Sequence, residues 1–276
     1  MKIAILAALL FAGLLITILL GLIAPGVHRD TSIWKGLMIA HRGLHDSSIP
    51  ENSLPAFKAA AEQKYGVELD VQFTKDKQLI VFHDSTLTRM CGIDKRVRDC
   101  TYEELMQYTL LNTDEHIPRF EDVLKIIDGL PLVCELKDHN GLNNHRLCRA
   151  TYELLSVRNG QYCIESFSPF LVRWFRIHHP EVIRGQLSCN MKKENMFVLL
   201  RPIMSTLLIN VISRPDFIAY RHNDINELGF LLCKRLFHPL TFGWTARGQK
   251  EQEHAWLNFD SVIFELNEQT DSSQDK

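Results

Sequence analysis

The sequence predicts an α/β fold, a TIM-type (β/α)8 barrel carrying a small inserted lobe and preceded by one transmembrane helix. Three observations predict it. Apolar strand-like runs alternate with amphipathic stretches about eight times after residue 36, the pattern of a parallel barrel with helices outside. Acids, histidines and an arginine cluster at the ends of the early runs, where barrel enzymes carry their chemistry. The first 24 residues, in contrast, are apolar almost throughout. The chain has 276 residues, 46% apolar and 23% charged, so one barrel of about 250 residues uses nearly all of it. A net charge of -2 lacks the basic footprint of nucleic-acid binding, and nucleic acid is excluded as a partner.

Ile3 to Ala24 is interrupted only by Gly13, Thr17 and Gly21, and Pro25-Gly26 closes it. As a helix this run spans about 33 Å, enough for a hydrocarbon core of about 30 Å. A signal peptide would have a shorter apolar region of about 7–15 residues and a small-x-small cleavage site. Leu22-Ile23-Ala24-Pro25-Gly26 offers no such site, which favours a retained single-pass anchor. Lys2 on one side balances Arg29 and Lys35 on the other, so the positive-inside rule does not orient it. The expected division is an anchor over 1–26, a linker over 27–36, the barrel over 37–266 and a polar tail over 267–276. The seven cysteines form no C-x-x-C pair, against a zinc or redox motif. Cys134 and Cys163 read instead as small buried hydrophobes in strands.

Strands are expected at Leu37 to Ala40, Val67 to Phe73, Leu79 to Phe82, Leu132 to Leu136, Gln161 to Ser166, Val182 to Gln186, Phe217 to Ala219, Leu240 to Trp244 and Ser261 to Phe264. Helices are expected between them, at Pro55 to Gln63, Phe120 to Ile127, Asn143 to Leu155, Pro169 to His178, Ile225 to Phe237 and Gln249 to Leu257. Asn52-Ser53 before Pro55 and the Thr101-Tyr-Glu-Glu capping box mark helix starts. The stretch from His83 to Pro118 is too long for a βα loop, and predicts a lobe over about 84–118, after the second or third strand, with a helix from Tyr102 to Tyr108. Met196 to Ile212 is nearly all apolar yet is broken by Arg201-Pro202. It reads either as the outer helix after the fifth strand or as a membrane-contacting flap beside the barrel mouth.

Glu68 and Asp70 flank Leu69 on one strand and so share a face. Two carboxylates so placed repel unless a cation neutralises them, and hard oxygen donors suit Mg²⁺ or Ca²⁺. Glu135 supplies a third ligand if the barrel closes, and Lys137, two residues on, suits a phosphate oxygen. His41 and His83 can accept and deliver protons near neutrality, and Arg42 offers a planar fork for two phosphate oxygens. The other ten histidines read as structural or surface residues.

In order along the chain, His41-Arg42-Gly43, Pro50-Glu51-Asn52-Ser53, Glu68-Leu-Asp-Val-Gln-Phe-Thr-Lys-Asp76, Val81-Phe-His83-Asp84, Ile117-Pro-Arg-Phe-Glu-Asp-Val-Leu124, Glu135-Leu-Lys137, Ser166-Phe-Ser-Pro169 and Trp244 resemble the motifs of the glycerophosphodiester phosphodiesterase family. The resemblance covers residues 37 to 265. It implies a TIM barrel with an insertion after the His-Asp strand, hydrolysis to sn-glycerol 3-phosphate and an alcohol, and a bound divalent cation. Carried over, His41 and His83 are general acid and base, Glu68, Asp70 and Glu135 hold the metal, and Arg42 and Lys137 clamp the phosphate. Glu51 orients the groups around the metal, and Trp244 lies against the glycerol. The chain departs from the pattern after Trp244, where Thr-Ala-Arg-Gly stands in place of Thr-Val-Asn, and at its last strand, which ends in Glu265. With an anchor beside the barrel, lysophospholipids or lipid-derived headgroups join soluble diesters as expected substrates. Two other readings share part of this pattern: a membrane-anchored binding module on the same barrel, and a phospholipase D-like lipid phosphodiesterase. A binding module needs no paired histidines, and the Glu-Leu-Asp and Glu-Leu-Lys strands fit the first family better.

Overall fold

The chain's architecture is given by a computed structural model that describes residues 1–26, 30–139, 144–193 and 197–266. The strands are β1 (Met38–Ala40), β2 (Gly66–Phe73), β3 (Leu79–Val81), β4 (Leu132–Leu136), β5 (Tyr162–Ser166), β6 (Ile183–Ser188), β7 (Phe217–Arg221), β8 (Leu240–Arg247) and β9 (Ser261–Glu265). The helices are α1 (Lys2–Ile23), α2 (Leu54–Glu62), α3 (Thr88–Cys91), α4 (Tyr102–Leu105), α5 (Phe120–Ile126), α6 (His145–Leu155), α7 (Pro169–His178), α8 (Leu200–Ser205), α9 (Asn210–Ser213), α10 (Leu228–Phe237) and α11 (Gly248–Asn258). The expected tail over 267–276, residues 27–29 of the linker, Asn143 and Met196 lie outside the described residues.

Eight strands pair in parallel in the order β1, β2, β4, β5, β6, β7, β8, β9, and β9 returns to β1, closing a barrel. Alternation along each strand separates two cores. Ile39, Val133, Cys163, Phe217, Phe242 and Ile263 fill the interior, and Trp34 closes its lower end. Leu69, Ile164, Ile218 and Phe264 point outward onto the helices, among them Phe57, Leu147, Phe175 and Phe230. The inward positions therefore rise from hydrocarbon to acid: Val133 is followed by Glu135 and Cys163 by Glu165, while Glu68 and Asp70 stand inside β2.

Leu79 to Phe82 is not a barrel strand. β3 pairs antiparallel to β2, with Val71 opposite Val81 and Phe73 opposite Leu79. The reason was available in the chain, because the five residues between β2 and β3 cannot carry a parallel crossover, which needs about a dozen. β2 overshoots the barrel rim, turns, and comes back, so His83 reaches the mouth from above instead of rising from the floor. The lobe thus follows the second barrel strand. It has a core of its own, with Phe82, Leu87, Met90, Val97, Leu105 and Ile117 buried together. α4 carries the expected capping box but ends at Leu105, short of Tyr108. The segment after β6, the fifth barrel strand, is two short helices and not one, because Leu207 between them is buried with φ +61°. Six of the seven cysteines are buried and none is bonded to another.

Candidate active site

The turn after β1 begins the site. Arg42 and Gly43 both have positive φ, 54° and 78°, and a Cβ on Gly43 would stand 2.8 Å from the Ala56 backbone of α2. Only glycine lets the chain pass that close, which explains the His-Arg-Gly order. The turn aims the Arg42 N–H at Glu68 Oε2 (3.0 Å) and its guanidinium between Glu51 (2.7 Å) and Asp70 (3.3 Å). Asn52 also has positive φ and donates from Nδ2 to Asp70 Oδ2 at 2.9 Å.

Glu68, Asp70 and Glu135 are buried, and each places a carboxylate oxygen within 4.8 Å of the others. Lys137 reaches Asp70 Oδ1 (3.1 Å) and Glu135 Oε1 (2.8 Å). A fourth acid that the sequence reading passed over, Glu165, is paired in register with Glu135 and is buried with no hydrogen-bond partner for Oε2 among the described residues. Burial first, then Asp70 and Glu135, push the Glu68 carboxyl well above its usual range. Burial raises Glu135 to about 7 against the pull of Lys137, and burial, then Glu135, push Glu165 well above the usual carboxylate range. Asp70 goes the other way, because Lys137, His83 and Arg42 outweigh its burial. Four buried acids face only Arg42 and Lys137 among the described residues, and burial with mutual repulsion pushes three of the four upward, a push that a bound cation would relieve. That donor set fits a hard divalent cation, with Glu68, Asp70 and Glu135 as the residues that would hold it.

Two histidines flank this cluster, each with its own carboxylate. His41 Nδ1 donates to Glu265 Oε1 at 2.6 Å, and its Nε2 lies 3.9 Å from Glu68. Glu265 is in turn gripped by Arg247 Nε at 2.8 Å, and these bonds outweigh burial to hold it well below the usual carboxylate range. His83 Nδ1 donates to Asp84 Oδ1 at 2.7 Å. Arg89 from the lobe clamps Asp84 (2.8 Å) and Glu51 (2.7 and 2.9 Å) together. Gln72 on β2 donates to the carbonyls of Phe82 (2.6 Å) and Asp84 (2.9 Å), fixing the backbone on both sides of His83. Burial, then Lys137 and Arg42, lower His83 to about 4, while bonds from His83 and Arg89 bring Asp84 down to about 2. Burial and Arg42 lower His41 despite Glu265.

All nine sequence-predicted site residues therefore lie at one mouth, with corrections of detail. His83 arrives on the antiparallel hairpin and not at a position matching His41. Glu51 faces Arg42 and Arg89, away from direct contact with the carboxylate triad. Arg247 pairs with Glu265. Trp244 stands on the opposite wall, edge-on to Phe167 (5.7 Å between centroids) and under Arg221 (5.3 Å). Two histidines read as structural are also here: His45 Nε2 lies 3.8 Å from Glu265, and His139 Nε2 donates to the His83 carbonyl at 3.0 Å. Glu165 and Glu265 carried the signal that exposed Glu135, an acid closing an apolar strand, and could have been found by it.

Comparison with known proteins agrees with this geometry. Residues 41–189 match the Glycerophosphoryl diester phosphodiesterase family. YhdW of Bacillus subtilis, named for the same activity, is 39% identical over 224 residues, 77% of this chain and 87% of that one. A human relative named lysophospholipase D is 30% identical over 139 residues, 45% of this chain and 42% of its own. Other curated relatives are matched over 38–47% of their length. A phosphodiesterase from Oleispira antarctica, solved with the product sn-glycerol-3-phosphate, superposes with a TM-score of 0.67 at 21% identity, covering 84% of this chain and 94% of that one, and shares the fold. The chain belongs to the glycerophosphoryl diester phosphodiesterase family and is an enzyme of that class.

Proposed function

We propose that this chain hydrolyses glycerophosphodiesters to sn-glycerol 3-phosphate and an alcohol with a divalent cation, while tethered to a membrane by α1, and that lysophospholipids are among its substrates. The observation that carries the reading is the pair of histidines, each with Nδ1 tied to a carboxylate and Nε2 left for substrate, on either side of three clustered acids. A cation held by Glu68, Asp70 and Glu135 supplies neutralisation of the phosphoryl oxygens and a lower pKa for the attacking hydroxyl. Arg42 and Lys137 bind the phosphate and orient phosphorus for attack by water, or by the neighbouring glycerol hydroxyl, whose cyclic phosphate ester water then opens to sn-glycerol 3-phosphate. Trp244 offers a flat apolar face to the glycerol.

The charges around the two histidines divide their work. His83 stands near Lys137 and Arg42, which disfavour a further positive charge, so it enters neutral and takes the proton of the nucleophile. His41 is held through Nδ1 by Glu265, whose negative charge favours an imidazolium against the pull of burial and Arg42, and we assign it delivery of the proton to the departing alcohol. Glu265 and Asp84 fix the Nδ1–H tautomer of each ring. The human relative's name supports the inclusion of lysophospholipids among the substrates, and an apolar helix beside the barrel agrees with that reading.

Leaving-group dependence tests the assignment. His41→Gln should lose about 10²- to 10⁴-fold on glycerophosphocholine and recover most of it on a nitrophenyl diester, whose alcohol departs without a proton. His83→Gln should stay slow on both. Equal losses on both substrates for His41→Gln would rule out its role as the acid.

A further inference from the structure

α1 is not a free leader. Ile23 is 4% exposed, and its carbonyl accepts from Asn210 Nδ2 of α9 (2.8 Å) and Cys233 Sγ of α10 (3.5 Å). Arg214 Nη1 donates to the carbonyls of Gly21 (2.9 Å) and Ala24 (2.8 Å), and Gly26 N–H donates to the Pro215 carbonyl (2.8 Å). A helix stitched through Gly21, Ile23, Ala24 and Gly26 to two helices of the barrel carries those helices to wherever it enters the bilayer.

The faces beside that attachment are apolar and uncovered. Leu228, Leu232 and Leu236 recur every fourth residue on α10, at 66%, 37% and 52% exposure, forming one stripe along the helix. Phe197, Val198, Leu199 and Leu200 lead into α8 at 46–68% exposure. The two helices adjoin: Gly229 of α10 lies so close to Thr206, just after α8, that a Cβ would stand 2.1 Å from the Thr206 carbonyl oxygen. Arg173, Arg176 and Arg214 lie near one another on the same side, a positive rim suited to anionic headgroups. The α8 segment also reaches the active-site mouth, since Met191 and Met204 pack with Phe167 and Trp244.

We propose that the Phe197–Leu200 turn and the Leu228/Leu232/Leu236 stripe rest in the headgroup and upper acyl region of the bilayer that α1 crosses. The barrel then lies with its α8–α10 side on the membrane, and an apolar path runs from the lipid past Met204 and Phe167 to Trp244. This deepens the lipid-substrate part of the proposed function. The partner is the lipid surface itself, because α1 leaves no linker that would hold this side away from it.

Full-length protein in phosphatidylcholine/phosphatidylglycerol vesicles, with acyl chains brominated near the headgroup, tests the surface without relying on catalysis. Phe197→Trp and Leu232→Trp should add fluorescence that brominated lipid quenches by about twofold or more, the depth expected of an interfacial side chain. Val157→Trp, 80% exposed at the end of α6, should add fluorescence that is not quenched. If the indoles introduced by Phe197→Trp and Leu232→Trp are as unquenched as the control, whether they face water or a second copy of the chain, the inference is overturned. Quenching in a protein that cleaves no diester would instead sink the proposed function and leave this surface standing.

Discussion

His41 and His83 are chemically the same residue, and the carboxylates and cations around them make them different. Glu265 and Arg247 support one, while Asp84 and Arg89 support the other. Because His83 is lowered from 6.5 to about 4, the unfolded chain binds a proton between those values that the folded chain does not. Stability from this group is full above pH 6.5 and declines as pH falls through that window to about 4. Asp84 adds a separate contribution, present above the ordinary carboxylate value and lost as pH falls through about 2. The kcat/KM profile should accordingly show no loss of base near pH 6.5, its acid limb lying near or below pH 4. An inflection near 6.5 that disappears in His83→Gln would contradict this. Glu68, Asp70 and Glu135 were legible in the sequence because an acid inside an apolar strand run stands out. The roles of Arg89, Asn52 and Gln72 have no local signal: Gln72 is uncharged in its strand, Asn52 reads as part of a helix start, and Arg89 sits in the inserted lobe. Their role comes from contacts across 18 to 38 positions of chain, or over the β2–β3 hairpin.

At the scale of elements, the β2–β3 hairpin matters most, since it converts a strand extension into an arm that places His83. Gln72→Leu removes both donors to that arm and leaves the Phe82 and Asp84 carbonyls to find other partners. We expect a loss of about 1–3 kcal/mol in unfolding free energy, measured by urea denaturation, and a fall in kcat larger than any change in KM. An unchanged kcat would mean that the lobe positions His83 without Gln72. On the facing wall, a Cβ on Gly185 would stand 2.1 Å from the Phe217 ring, so Gly185→Ala should cost about 1–3 kcal/mol through overpacking of the barrel interior. Nine strands were legible, with ends displaced by at most a few residues, because β-branched and aromatic runs flanked by turn residues are a local signal. The direction of β3 was misread because hydrophobicity does not encode it, while the length of the connection does. The break at Leu207 was hidden for a similar reason, since nothing local marks a leucine for positive φ, and its neighbour Thr206 packs on the distant Gly229.

The whole molecule combines two kinds of surface. A barrel with polar chemistry at its mouth is fixed to an apolar 22-residue helix through hydrogen bonds from Asn210, Arg214 and Cys233. Full-length protein expressed in a bacterial host should stay in the membrane pellet after alkaline carbonate washing, and its N-terminus should begin at residue 1 or 2. Release into the soluble fraction with a new N-terminus near residue 27 would identify α1 as a cleaved leader. Composition alone exposed the helix; its docking was not legible, because a carbonyl at a helix end has no side-chain signature. The central claim, that the acidic cluster holds a cation needed for phosphodiester cleavage, is tested most directly by release of glycerol 3-phosphate from glycerophosphocholine. Full-length protein in detergent would be assayed after EDTA treatment, then with Mg²⁺ or Ca²⁺ restored, alongside Glu68→Gln. The account predicts turnover that EDTA abolishes, that one of the two cations restores, and that Glu68→Gln lacks under every condition. Undiminished release of glycerol 3-phosphate in EDTA would contradict it.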